Sequence, residues 1–112
     1  SQLKKILVFY CEEVKVLITH IGGYPGKYNL KLKKLLLDEK PNIYICGHSH
    51  ILKVISDKRL NLIHMNPGAA GINGFHKIRT MIRFNINKKE IQNLEVVELG
   101  QRGKIISNDR QT

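Results

Sequence analysis

Hydrophobic and polar positions follow regular patterns along most of this chain, and their spacing predicts its secondary structure. One apolar run covers residues 5–10 and a second covers 14–18, with Glu12 and Glu13 at a tight turn between them. Short runs that are almost continuously apolar are typical of strands covered on both faces. The segment 3–20 is therefore predicted to form two covered strands.

A helix is predicted between Asn29 and Pro41. Asn29 is a favourable N-cap, and proline disfavours helical geometry at the residue before it. Three leucines at helical spacing supply one apolar face: Leu32, Leu35 and Leu36. A loop rich in glycine covers 22–28 before the helix, and a strand is predicted at 42–46 after it. This strand–helix–strand order indicates a βαβ unit with parallel strands and a right-handed crossover.

The rest of the chain has the pattern of strands joined by turns. Strands are predicted at 51–56, 60–65, 77–86 and 91–99, with turns at 57–59 and 87–90. The third of them alternates between apolar and polar positions, as a half-buried antiparallel strand does. The fold class is therefore α/β, one βαβ unit followed by mostly antiparallel strands, in a single domain over 1–100 with a polar tail at 101–112.

Composition and charge narrow the class of protein. The chain has 112 residues, 42% of them hydrophobic, and a net charge of +10. Such a charge attracts nucleic acid, but the basic residues are scattered, and there is no Trp and only three Phe for stacking on bases. No apolar run is long enough to span a membrane, and no signal peptide is recognised. Two distant cysteines, Cys11 and Cys46, suit a reducing cytoplasm.

Three of the five histidines stand where predicted strands end. His20 closes the second strand, and His48 and His50 follow the 42–46 strand within Gly47-His48-Ser49-His50. The carboxyl ends of parallel strands share one edge of a sheet, so the three imidazoles are expected to converge. Gly47 lets the backbone turn sharply before them. Imidazole is a common ligand of Zn, Mn, Fe and Ni, and a metal site is predicted here.

Other residues are candidates for a supporting role. The segment Asn66-Pro67-Gly68 allows either a close backbone approach to the site or an ordinary turn. His76 and Arg79 follow a glycine-rich loop and suit an anion, although a solvated strand edge is an alternative. His64 fits a hydrogen-bonded strand histidine, and Cys46 fits a small buried hydrophobe. Tyr24 and Tyr28 either line a substrate mouth or pack the loop.

These motifs resemble the calcineurin-like metallophosphoesterase superfamily, in particular its small bacterial and archaeal phosphodiesterase branch. That branch also contains a retromer subunit of similar fold. The similarity covers residues 3–99, and three pieces carry it in the same order and spacing: Leu17-Ile18-Thr19-His20, Gly47-His48-Ser49-His50 and Asn66-Pro67-Gly68.

The resemblance implies an α/β sandwich with a two-metal site on its strand ends. In the family, the histidines that match His20 and His48 bind one metal, and the one that matches His50 binds the other. The divalent ions would be Mn, Fe, Ni or Zn, and they would activate a nucleophile for attack on a phosphoester. Gly47, Asn66, Gly68, His76 and Arg79 would lie near the phosphate.

The family's earlier motifs are missing from this sequence. No Asp-x-His and no Gly-Asp occurs in the 112 residues, so the bridging aspartate and the family's acid residue have no counterpart. The chain is therefore expected to be an N-terminally truncated phosphoesterase that forms only the C-terminal part of the sandwich. It is expected to bind at most one metal ion well and to lack full activity. An uncovered half-sandwich is also expected to self-associate, exchange strands or bind a covering chain.

Metal-dependent phosphodiester hydrolysis is thus the predicted function, in the cytoplasm and without a membrane partner. Two alternatives remain open at this stage. The first alternative is a non-catalytic protein-interaction scaffold of the same fold, and the second is a basic nucleic-acid-binding domain. Neither the substrate nor the physiological metal follows from the residues.

Overall fold

Short-range sequence signals set the elements of the fold. A computed structural model describes residues 5–21, 23, 25–47, 49, 51–69 and 78–101. In this part of the chain the elements are β1 (Ile6–Cys11), β2 (Val14–Ile21), α1 (Leu30–Glu39), β3 (Ile43–Gly47), β4 (Lys53–Asp57), β5 (Leu62–Asn66), β6 (Ile78–Asn87) and β7 (Glu90–Gln101).

The helix begins and ends where its caps predict. The Asn29 side chain accepts a hydrogen bond from the Leu32 N–H at 2.8 Å, which satisfies one of the unpaired donors of the first turn. At the other end, Lys40 adopts a left-handed conformation with φ 51°, and its N–H donates to the Leu36 carbonyl. Pro41 then excludes any continuation.

The strands form one large sheet and a separate hairpin. The order in the five-stranded sheet is β1-β2-β3-β5-β4, and β6 pairs with β7 in a second, two-stranded sheet. β3 is parallel to β2 and to β5, whereas β1 and β4 are antiparallel to their neighbours. The predicted parallel βαβ unit and α/β class are confirmed.

The core lies on both faces of the central strands. On one face α1 packs against β2, β3 and β5, burying Leu17, Leu32, Leu36, Tyr44, Cys46 and Leu62. On the other face the β6–β7 hairpin covers Val14, Val16, Ile43 and Met65 with partly buried residues that include Ile82, Phe84 and Ile86. The result is three layers, helix on sheet on hairpin.

β1 does not fit the sequence prediction. All six of its residues are exposed, although its apolar run predicts a strand covered on both faces. It lies at the edge of the sheet, and in the described part of the chain neither α1 nor the hairpin extends over it. An apolar run indicates strand formation, but the layers packed above and below it decide whether it is buried.

The boundaries of the later strands shift by one or two residues. β4 includes Asp57, because the Asp57 carboxylate accepts hydrogen bonds from the N–H groups of Arg59 and Leu60 and so begins the turn from the strand's last position. β7 runs to Gln101, one residue into the predicted tail, and 102–112 lie outside the described residues. Among the residues described, no helix is long and apolar enough to cross a membrane.

Candidate metal centre

A β-bulge places His20 at the end of β2. Ile18 pairs with Ile45 and Ile21 pairs with Gly47, so β2 uses two residues, Thr19 and His20, where β3 uses one. Bulges of this kind change the direction of a side chain at the rim of a sheet. His20 is exposed there, beside the last residue of β3.

A buried hydrogen bond fixes the strand ends that carry the site. Thr19 Oγ1 and the Tyr44 hydroxyl lie 2.6 Å apart, and both side chains are buried. Burial raises the pKa of Tyr44, so its hydroxyl keeps its proton. The bond joins β2 to β3 immediately before His20.

Asn66 ties the end of β5 to the segment that contains His48. Its Nδ2 donates to the Gly47 carbonyl at 3.4 Å and to Ser49 Oγ at 3.0 Å. Its Oδ1 accepts from the Gly68 N–H at 3.1 Å. Since Asn66 is buried, these bonds hold residues 47 and 49 on both sides of His48 against β5.

Gly68 is required by the geometry of its turn. Its φ is +79°, and a Cβ there would lie 2.1 Å from Thr80 Oγ1. The Thr80 hydroxyl in turn donates to the Pro67 carbonyl, and its N–H donates to the Ala69 carbonyl. Asn66-Pro67-Gly68 therefore forms a turn packed onto the start of β6, and Pro67 also lines the cleft beside His20, so the turn and the close approach to the site are compatible.

Gly47 has a different role from the one predicted. Its φ is outside the left-handed region, and a Cβ built on it would make only an ordinary contact of 3.8 Å with the His20 carbonyl oxygen. The sharp turn expected before His48 is therefore not made by a glycine-only conformation at this residue. Gly47 contributes its backbone carbonyl, which Asn66 and the Ser49 N–H both bind.

An open cleft of about 640 Å³ lies over these strand ends. It brings together His20, Gly47 and Pro67 from three elements. Its lining consists of Lys5, Ile6, Leu7, Ile18, Thr19, His20, Ile45, Cys46, Gly47 and Pro67. Lys5 is the charged side chain among them, and the described lining of the cleft includes no carboxylate.

The complete predicted ligand set is not described by the structure. His48 and His50, and also Tyr24 and His76, lie outside the described residues. Within the described ranges no group of three His, Cys, Asp or Glu side chains is placed to hold a metal ion. The imidazole of His20 is a suitable ligand for a divalent cation, but the described lining of the cleft includes no carboxylate to neutralise the charge of two such ions.

Arg79 is the second residue of β6, at the open end of the hairpin. It pairs with Gly100 of β7, and its Nη2 donates to the carbonyl of the neighbouring Leu99 at 2.8 Å. Its Nε is buried and has no hydrogen-bond partner among the described residues. The guanidinium therefore supports the end of the hairpin, and its predicted place near a phosphate stays a prediction.

His64 is a buried strand histidine, as its alternation with apolar neighbours predicts. The Tyr28 hydroxyl lies 2.9 Å from its Nδ1, and Cys46 Sγ lies 3.8 Å from its Nε2. Burial lowers the pKa of His64 and raises the pKa of Cys46, so both groups are neutral. Of the two roles considered for Tyr28, packing is the observed one, because its ring contacts Tyr44 and His64.

Sequence reasoning missed several residues that organise the site. Tyr44 and Thr80 help to hold the strand ends and the turn, and neither belongs to a recognisable motif. Thr19 and Ser49 stand inside the segments Leu17–His20 and Gly47–His50, but their positions next to the histidines are the one signal of a role. The pairings themselves join residues at least 13 positions apart, and local patterns do not predict them.

The described residues form a layered α/β fold in which His20 stands at the end of a strand parallel to its neighbour. Residues 1–89 match the calcineurin-like phosphoesterase superfamily domain, and the chain belongs to this superfamily. A search of curated proteins found no match.

Solved structures of other proteins share this fold. Wild-type Vps29 from Entamoeba histolytica, complexed with Zn²⁺, is 16% identical with a TM-score of 0.62, and the match covers 86% of this chain and 60% of that one. A predicted phosphoesterase from Streptococcus pneumoniae is 19% identical with a TM-score of 0.60, covering 93% and 57%. A Thermotoga maritima protein is 23% identical with a TM-score of 0.55, covering 84% and 54%. The chain thus spans less than two thirds of the length of each.

Proposed function

We propose that this chain provides the histidine part of a metal-dependent phosphoesterase site and that its substrates are phosphodiesters. The observation that carries the proposal is the bulge at Thr19 and His20, which sets His20 beside Gly47, the residue that leads into His48 and His50. Superfamily membership supports the reaction class.

In this proposal His20 and His48 bind one divalent ion and His50 binds a second. Such ions, when bound, would polarise the phosphoryl group and lower the pKa of a water nucleophile. Zn, Mn, Fe and Ni all accept imidazole ligands, and Zn²⁺ is the ion present in the Vps29 structure from E. histolytica.

The chain's own residues would orient these ligands and attract the substrate. Asn66 binds the Gly47 carbonyl and the Ser49 hydroxyl, on either side of His48, so it would act as a positioning residue for that imidazole. Lys5 on the cleft wall would attract the phosphate. Gly68, His76 and Arg79 complete the predicted substrate side.

We propose that the carboxylates of the two-metal site come from outside these 112 residues. The described cleft wall has no Asp or Glu, and the sequence contains neither Asp-x-His nor Gly-Asp. Two divalent ions need negative ligands, so the chain alone is expected to bind one ion well and to hydrolyse phosphodiesters poorly. Its free cysteines, Cys11 and Cys46, suit a cytoplasmic site of action.

Metal content tests the ligand assignment directly. Elemental analysis after purification without chelators is expected to give one equivalent of Zn, Mn, Fe or Ni for the wild-type chain. His20→Ala and His48→Ala are each expected to retain well under one equivalent, since loss of a ligand lowers metal affinity by more than the about 10–100-fold that loss of an orienting contact costs. His76→Ala is the matched control and is expected to retain the metal. Equal metal content in all four proteins would contradict the assignment.

A scaffold role is the second candidate, favoured by the similarity in fold to Vps29 structures. Because a Vps29 structure also holds Zn²⁺, metal content alone does not separate the two candidates. The scaffold role predicts that the metal-loaded chain does not hydrolyse a model phosphodiester, even when Mn²⁺ is supplied, and hydrolysis that is lost in His20→Ala would count against it.

A further inference from the structure

The two edges of the five-stranded sheet differ in their protection. β4, at one edge, is five residues long and carries Lys53 and Asp57 at its ends. β1, at the other, is an uncharged six-residue strand, Ile6–Cys11. Its large apolar side chains are between 37% and 67% exposed. Natural proteins usually protect edge strands with charges, bulges or a covering element, because a bare edge pairs with other strands.

Among the described strands none pairs with the outer edge of β1. Residues 12 and 13 make a two-residue turn, and Cys11 pairs with Val14 across it. Such a turn closes on a hydrogen-bonded pair, and bonded and non-bonded pairs alternate along an antiparallel ladder. By this alternation the N–H and C=O groups of Ile6, Val8 and Tyr10 point away from β2.

The charges on both sides of β1 are complementary to a reversed copy of the same strand. The apolar run begins after Lys4 and Lys5 and ends at Glu12 and Glu13. When a second copy runs antiparallel, the basic start of each strand meets the acidic end of the other. Glu12 and Glu13 are exposed. Oε1 of Glu12 accepts a hydrogen bond from the Lys88 N–H, and a carboxylate has a second oxygen that can accept further hydrogen bonds.

We propose that β1 is a self-association surface at which a second copy of this chain pairs antiparallel, centred on Val8. A two-fold axis perpendicular to the sheet requires one residue to face itself, and centring on Val8 uses the outward groups of Ile6, Val8 and Tyr10. Ile6 of each copy then pairs with Tyr10 of the other, and Lys5 lies beside the Glu12–Glu13 turn of the second copy. The five-stranded sheet becomes one continuous ten-stranded sheet.

This proposal goes beyond the metal chemistry and does not rest on it. The net charge of +10 opposes association at long range, so the test is made at ~0.15 M salt, where charges are screened beyond ~8 Å. Sedimentation at about 100 µM is expected to give a dimer for the wild-type chain, by the mass-action dependence of an associating protein. Val8→Lys, at an exposed site, is expected to give a monomer with an unchanged circular dichroism spectrum. Val54→Lys, on the opposite edge, is the matched control and is expected to remain a dimer.

Cysteine cross-linking tests the register. In a Cys11→Ser background, Val8→Cys is expected to form a covalent dimer on mild oxidation, because facing residues in a ladder lie ~5.5 Å apart and fit a disulfide. Ile6→Cys is the control: two copies of residue 6 would lie about 14 Å apart along the strands and are expected to cross-link at least tenfold less.

Three results would overturn the proposal. A monomeric wild-type chain would mean that β1 is covered by something other than a second copy. Open-ended aggregation in place of a dimer would exclude a closed two-fold pairing. Equal cross-linking through residues 6 and 8 would exclude the register centred on Val8.

Discussion

Two neighbouring strands of the same sheet, β1 and β2, have similar apolar sequences and opposite environments. Leu17 of β2 is fully buried between layers, whereas Leu7 of β1 is 55% exposed. α1 covers one face of β2 and the β6–β7 hairpin covers the other, and in the described residues neither reaches β1. The difference shows that the position of a strand in the layers, and not its apolar content, decides what it contributes to stability.

The largest expected effect comes from truncating matched leucines on the two strands. Leu17→Ala is expected to lower the free energy of unfolding by about 2–5 kcal/mol, because it leaves a cavity in a closed core. Leu7→Ala is expected to cost less than ~1 kcal/mol, since that side chain is already in contact with water. Urea denaturation of both variants measures the contrast. Equal losses would mean that β1 is covered in solution.

Gly68→Ala is expected to destabilise the rim by ~2–4 kcal/mol, because it combines a left-handed φ with a steric clash. The clash is with Thr80 Oγ1, 2.1 Å from the built Cβ. Gly26→Ala is the matched control, since its φ is +84° but its Cβ would meet nothing within 4 Å. It is expected to cost only about 1 kcal/mol by thermal or urea unfolding. Similar losses in the two variants would contradict a steric role for Gly68.

Asn66→Ala tests whether the hydrogen bonds at the strand ends near His20 serve metal binding as well as stability. Removing its bonds to Gly47 and Ser49 is expected to cost ~1–3 kcal/mol of stability and to weaken metal binding about tenfold. Asn42→Ala removes a similar side-chain bond, to the Lys15 N–H, at the other end of the strands. This control is expected to lose stability but to keep its metal affinity, as measured by competition with a chelating dye. Unchanged metal affinity in both variants would remove Asn66 from the site.

The smallest expected effect is a pH dependence of the free energy of unfolding that arises from the buried His64. Burial lowers the pKa of His64 below its ordinary 6.5, so the unfolded chain binds a proton more readily than the folded one. The contribution of His64 is therefore complete above pH 6.5 and is lost as the pH falls toward the lower folded pKa. The slope for one group is at most ~1.4 kcal/mol per pH unit. His64→Gln is expected to flatten the stability profile between pH 7 and pH 5, and an identical slope in the variant would contradict this assignment.

The sequence predicts the helix and the parallel pairing because their signals are local. Asn29 and Pro41 act on residues within one turn of themselves, and the alternation along β6 reflects the pleat of a single strand. The exposure of β1 has no such signal, because it depends on where α1 and the hairpin end up. Local rules therefore predict the elements well and their covering poorly.

The candidate site divides in the same way. The order of His20 and Gly47 at adjacent strand ends follows from the βαβ pattern, and the structure confirms that β2 and β3 are parallel neighbours. The hydrogen bonds of Asn66 to Gly47 and Ser49 span 19 and 17 positions of the chain, and they depend on tertiary packing. The close approach of Gly68 to Thr80 depends on it as well. A glycine before the histidines suggests a sharp turn, yet Gly47 has no positive φ, whereas Gly68, in the turn after β5, does.

The extra residue at the end of β2 mechanically separates two parts of one strand. From Val16 to Ile18 the ladder keeps the regular register that packs the core, and after His20 it resumes one position out of step. The buried bond from Thr19 to Tyr44 holds the first of the two extra positions, so the bulge changes the direction of the His20 side chain without shifting the strand below it. Core packing and the redirection of one imidazole are in this way combined in eight consecutive residues, Val14–Ile21.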